Sequence, residues 1–192
     1  MLDTFLALAL VYHEPPTHHL RALRLLETLI ASASPEPAHP SSPTVPHPDP
    51  RLLIAKATVL QAAEAKQAAA LKVWEQILTL PDSTLSPQQR TFAEGERAWA
   101  LFLAGQTDEA LPPLEEVVRV YEERKLARDK EREEIEKYRS KNGIEKAEGV
   151  EEGETEEERS ERARAWWRLG ECLRSHSESR SAHWKDEDVR LT

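Results

Sequence analysis

Apolar residues in this chain gather in four blocks, 1–30, 52–80, 92–121 and 163–173, and within each they recur three and four positions apart. That period puts them on one face of an α-helix. No segment alternates apolar and polar residues between turn signals, as a half-buried strand would. The sequence therefore predicts an all-α fold. What separates the blocks constrains it further. Residues 33–50, ASPEPAHPSSPTVPHPDP, carry seven prolines, which rule out helix and central strand and leave an extended, solvated loop.

The blocks resolve into an order of elements. Residues 1–32 predict a helix pair: Leu2–Tyr12, a break at Pro15-Pro16, then a second helix with Leu20, Leu23, Leu26 and Ile30 on one face. Residues 51–121 predict two further pairs. The first spans Arg51 to Leu80, is rich in strong helix formers, and is closed by Pro81 and the loop 82–90. The second joins Phe92–Gln106 to a helix N-capped by Thr107, with Gly105 in the turn. Pro112 and Pro113 fall inside that last helix and predict a kink there or a later helix start.

Residues 122–162 are mostly charge. The first half mixes signs at helical spacing, with pairs such as Lys130/Glu134, Arg132/Glu136 and Glu133/Lys137, and predicts a solvated helical extension. The second half, 143–161, is acidic and broken by glycine, and is expected to be disordered. Ala163 to Leu173, ARAWWRLGECL, then reads as the first helix of another pair, and 174–192 as an irregular tail, so the repeat looks cut off midway by truncation or an altered frame.

Helix pairs between punctuation call for a repeat test. Trp166, Leu169, Gly170 and Leu173 have the spacing of the first helix of a tetratricopeptide repeat, whose small residue lets two helices approach while Trp and Leu fill the space around it. The same family places Ala twelve residues on, then a bulky residue and another apolar one. Thr58, Ala70, Trp74 and Ile77 match that pattern, as do Ala98, Ala110, Leu114 and Val117; Leu10, Ala22, Leu26 and Leu29 match it more loosely. The small positions lie 48, 40 and 72 residues apart rather than the family's roughly 34, the excess being the loops and the charged insert. The chain thus resembles a tetratricopeptide α-solenoid of antiparallel helix pairs with long Pro-rich and charged inserts. An ordinary helical bundle with chance alanine spacing is the alternative. The order of blocks over 51–173 further resembles the fungal tetratricopeptide scaffold subunit of the superkiller complex. That resemblance implies a cytoplasmic platform in 3′–5′ mRNA decay with the exosome, with helicase and WD-repeat subunits as partners.

The function expected from the repeats is a non-catalytic protein-interaction scaffold, holding a peptide or helix in a concave groove. Groove candidates are Lys56, Gln61, Glu96, Arg97, Trp99, Arg164 and Arg168. The net charge of −9 argues against a nucleic-acid or membrane partner. An RNA-contacting accessory role would rest on the short arginine run Arg162, Arg164, Arg168 and Arg174. No cofactor is expected. His13, His18 and His19 straddle a proline pair and read as a solvated turn, and Cys172 with His176 makes only half of a structural zinc set. One cysteine excludes an internal disulfide. The Phe5–Tyr12 run lacks a basic flank, and no apolar run is long enough to span a bilayer, so a cytoplasmic location is expected, with the nucleus an alternative. The carboxylates of 145–161 sit in a segment expected to be flexible and cannot hold catalytic geometry; no enzyme is expected.

Overall fold

The computed structural model describes residues 19–33, 49–63, 66–142 and 154–190, and of Ala33 and residues 179–190 the backbone alone. The described residues form six helices and no strand: α1 His19–Ala33, α2 Pro50–Ala62, α3 Gln67–Leu78, α4 Pro87–Leu103, α5 Thr107–Asn142 and α6 Glu156–Arg190. The all-α expectation holds. Expectations for Leu2–Tyr12, for most of the proline segment and for 143–153 lie outside the described residues. The chain divides into two units, Met1–Ala110 and Leu111–Thr192.

In the first unit each helix packs on the next in sequence, α1 on α2, α2 on α3 and α3 on α4. Local chemistry sets the ends. Asp49 caps α2 by accepting from the Arg51 N–H at 2.9 Å, with Pro50 at the first position, where its missing N–H costs nothing. Pro50, assigned to the loop on sequence, therefore opens the helix. Ser86 and Gln89 form a reciprocal capping box around Pro87, at 3.1 and 2.9 Å, so α4 starts five residues ahead of the expected Phe92. At the other end of α3, Arg90 donates to the carbonyls of Leu78 and Leu80, both at 3.1 Å, and pairs with Asp82 at 2.7 Å. One guanidinium on α4 thereby satisfies carbonyls that α3 leaves open. Helix α4 ends in a Schellman motif: Gln106 donates to Leu101 O, Gly105 to Phe102 O, and Gly105 takes φ +83°. The turn glycine is thus required by its backbone angle. Thr107 is the first residue of α5 rather than its cap; Ala110 N donates to Gln106 O.

The core of this unit is built from Ala22 and Leu26 of α1, Ala57 and Val59 of α2, Ala70, Trp74 and Ile77 of α3, and Ala93 and Ala100 of α4, all fully buried. The indole of Trp74 meets Phe92 edge-on at 6.1 Å. A buried indole N–H needs an acceptor, and Gln61 supplies it at 2.8 Å. The amide of Gln61 then donates to Glu96 at 2.9 Å, so one polar chain links α3, α2 and α4.

In the second unit α5 and α6 are antiparallel: Glu122 pairs with Arg162 and Trp166, whereas Arg128, further along α5, pairs with Glu158, earlier on α6. Pro112 and Pro113 lie within α5, which continues through them to Asn142. The charged extension is thus helical, and Glu133/Lys137 forms there at 3.9 Å. Two expectations are corrected. Residues 156–161 are helical, because Thr155 and Glu158 make a capping box, Glu158 N to Thr155 Oγ1 at 3.2 Å and Thr155 N to Glu158 at 3.0 Å. The tail from 174 is also helical, the backbone of α6 running unbroken to Arg190.

Gln61→Leu should strand the Trp74 N–H and remove a donor from Glu96, costing about 3 kcal/mol in urea unfolding. Glu96→Gln keeps an acceptor for Gln61 and should cost less than about 1 kcal/mol.

Candidate functional site

The groove residues named from sequence fall in both units, Lys56, Gln61, Glu96, Arg97 and Trp99 in the first and Arg164 and Arg168 in the second. Lys56 is half-buried and pairs with Glu27 of α1 at 3.2 Å. Gln61 is half-buried and Glu96 only 6% exposed, and both serve the Trp74 relay. Glu96 is thus buried rather than exposed, and Gln61 is held against Trp74 and Glu96 by its amide. Arg97 and Trp99 are half-buried on α4, Trp99 stacked on Phe102 with ring centroids 4.8 Å apart. On α6, Arg164 is exposed and Arg168 half-buried.

The repeat-packing residues divide more sharply. Ala70, Trp74, Ile77, Ala98, Ala110 and Leu114 are fully buried, and Val117 nearly so. Thr58 is half-buried and turns its hydroxyl back to Ile54 O at 2.9 Å, and the small residue fully buried on α2 is its neighbour Ala57. On α6 the motif splits. Leu169 is buried, whereas Trp166 and Leu173 are 48% and 45% exposed and Gly170 is exposed. Among the described residues a Cβ on Gly170 would meet nothing within 4 Å, so the close approach expected at this glycine is not made by them.

Helical arithmetic accounts for the split. At 100° per residue, Ala165, Leu169 and Cys172 share one face, and all three are buried. Ala163, Trp166, Trp167, Gly170, Leu173 and Ser177 share another, and all are exposed. Helix α6 is apolar on both. Among the described residues, Trp166, Trp167 and Leu173 make the one cluster of exposed large hydrophobics containing two tryptophans. The Trp166 ring is held in place, its Nε1 donating to Glu122 at 2.7 Å. Sequence reading placed Trp166 inside and did not select Trp167. The signal was present, because at 100° per residue Trp167 falls about 160° from Leu169, so a helix that buries Leu169 turns Trp167 outward.

Below this face α5 and α6 are joined by charge. Arg128 forks onto Glu158; Arg162 binds Glu154 at 2.8 and 3.0 Å and Glu122 at 3.1 Å; Tyr121 donates to Glu161 at 3.3 Å. Arg128 holds the Glu158 carboxyl down to about 2, with further help from Thr155. Glu122 is lowered by the Trp166 N–H and then by Arg162, and Glu154 by Arg162. Glu161 goes the other way, raised by burial against the smaller opposing effect of Tyr121. The arginine run offered for RNA is thus partly engaged: Arg162 by two carboxylates, and Arg174 by Glu171 at 2.6 Å and Glu178 at 2.9 Å.

The histidine and cysteine readings also change. His19 is buried rather than in a solvated turn, while His13 and His18 lie outside the described residues. Cys172 is fully buried and His176 half-buried. Among the described residues no three of His, Cys, Asp or Glu lie together as a metal site, and no helix is long and apolar enough to cross a membrane. Compared with protein-family models, curated proteins and solved structures, the chain matches none.

Two outcomes follow from the α5–α6 pair. Carboxyls with lowered folded values stabilise above their unfolded value, and that contribution is lost as pH falls through the folded one. Urea stability should therefore fall between about pH 4.5 and 2 as Glu158, Glu154 and Glu122 protonate. Glu161, with a raised value, acts in the opposite sense above that window and offsets part of the loss. Glu158→Gln should flatten the acid limb. Separately, Gly170→Ala should raise stability by about 1 kcal/mol, since the helix gains propensity and the methyl meets open space.

Proposed function

We propose that this chain is a non-catalytic protein-interaction scaffold of TPR-like helix pairs. The observation that carries the reading is the exposed Trp166, Trp167 and Leu173 on α6. Tryptophan is the residue most enriched where binding energy concentrates, and clustered large apolar side chains left in water mark interaction surfaces. The Trp166 ring is held by Glu122, so little side-chain freedom is lost when a partner covers it. Packing of consecutive helices along α1 to α4, with the pattern's small residues Ala70 and Ala98 fully buried, supports the repeat reading. The assembly it serves is inferred from the resemblance to the superkiller scaffold: a cytoplasmic mRNA-decay complex with helicase and WD-repeat subunits.

The test is affinity capture from cell extract with the chain and with its Trp166→Glu/Trp167→Glu form, read by mass spectrometry. A discrete set of proteins should be lost in the variant, and an RNA helicase should be among them. Identical capture by both forms overturns the α6 surface. Loss of proteins that include no helicase removes the decay assignment and leaves the scaffold.

A further inference from the structure

Thr155 is the one serine or threonine in the chain followed by three consecutive acidic residues, Glu156, Glu157 and Glu158, and Glu151, Glu152 and Glu154 precede it. Kinases choose substrates by charge pattern, and this surround suits one with a basic cleft. Thr155 is exposed and stands just ahead of α6, in no regular element. Its hydroxyl also reaches toward α5. Oγ1 donates to Glu158 Oε2 at 3.0 Å, and the same carboxylate is forked by Arg128 of α5. One hydrogen bond and one ion pair therefore connect Thr155 to the other helix.

We propose that Thr155 is a phosphorylation site for an acid-directed protein kinase, and that the phosphate releases the start of α6 from α5. In the reaction the γ-phosphoryl of a nucleoside triphosphate passes to Oγ1, the hydroxyl gives up its proton, and the nucleoside diphosphate leaves. The ester oxygen has no hydrogen to donate, so its contact with Glu158 turns from a hydrogen bond into a repulsion. The added group carries a charge of about −1.5 to −2. The cations at this joint are already committed: Arg128 to Glu158, and Arg162 to Glu154 at 2.8 Å and Glu122 at 3.1 Å. Two guanidiniums thus face three carboxylates before the phosphate arrives. A helix N-terminus favours an anion, but Glu156, Glu157 and Glu158 already take that place and oppose a further dianion.

Recognition and release are coupled. Glu156 and Glu157 are exposed, whereas Glu158 is half-buried under Arg128. A kinase that reads the third acidic position takes the chain with that fork open, and the phosphate then keeps it open. Two events that each favour the open form favour one another.

The test treats the purified full chain with casein kinase 2 and ATP, maps the phosphate by peptide mass spectrometry, and follows Cys172 with a thiol reagent. Cys172 is the chain's one cysteine and is fully buried on α6, so its reaction reports release of that helix. Thr155 should take up phosphate, as should Ser in Thr155→Ser, and Thr155→Val should take up none there. Cys172 of the phosphorylated chain should react about tenfold faster, and that ratio should shrink in molar salt, which screens charge repulsion. Thr155→Val, which loses the cap without adding charge, should change the rate by a factor that salt leaves alone. Arg128→Gln, which frees Glu158, should speed phosphorylation several-fold. A chain that takes no phosphate at Thr155, or whose Cys172 reacts no faster once phosphorylated, overturns the proposal. An Arg128→Gln chain phosphorylated at the parent rate overturns the coupling.

Discussion

A fully buried indole must place its N–H, and the first unit is arranged around that requirement. Trp74 has no exposed surface, and burying an amide-like donor without an acceptor costs as much as several methylenes gain. Gln61 answers it from the last turn of α2 and passes the demand on to Glu96 on α4. Apolar packing alone would tolerate small slides of one helix along another. The directional bonds from one side chain on α2 to partners on α3 and α4 permit far less. Arg90 adds a second directional tie between α3 and α4, at the carbonyl end of α3.

The second unit solves the same problem with other means. Val117, Val118 and Tyr121 make a short buried apolar strip on one of its helices and Ala165, Leu169 and Cys172 one on the other, and the two helices are joined by guanidinium–carboxylate pairs. Such pairs set register well, because each arginine must meet particular carboxylates. They contribute less net stability than core burial, and salt and acid weaken them. Glu161, buried enough to have its proton held more tightly, lies beside Tyr121 where the apolar strip gives way to charge.

What could be read from sequence followed from local rules. The helical period located the blocks, and Gly105 marked a turn that requires a left-handed residue. The starts of α4 and α6 were equally local, written as Ser86-Pro87-Gln88-Gln89 and Thr155-Glu156-Glu157-Glu158, but composition outweighed them: a proline and polar residues read as loop, a run of glutamates as disorder. The break between α2 and α3 was not legible in the same way. Ala62 and Ala63 lie among strong helix formers, yet Ala63 is extended and buried, so tertiary packing overrides propensity there. Gln61 and Glu96 were placed in the groove because polar residues default to the surface; their burial depends on Trp74, thirteen residues from one in sequence and twenty-two from the other.

The repeat motif on α6 shows why matching spacing is weaker than matching faces. Trp166, Leu169, Gly170 and Leu173 satisfy the family pattern as a string, and a string implies one surface. On a helix Leu169 stands 100° from Gly170, and here it turns inward with Ala165 and Cys172 while the other three turn out. A surface helix needs one apolar stripe to join its core. Helix α6 has that stripe, and it has a second on which a glycine forgoes helix propensity without filling any contact.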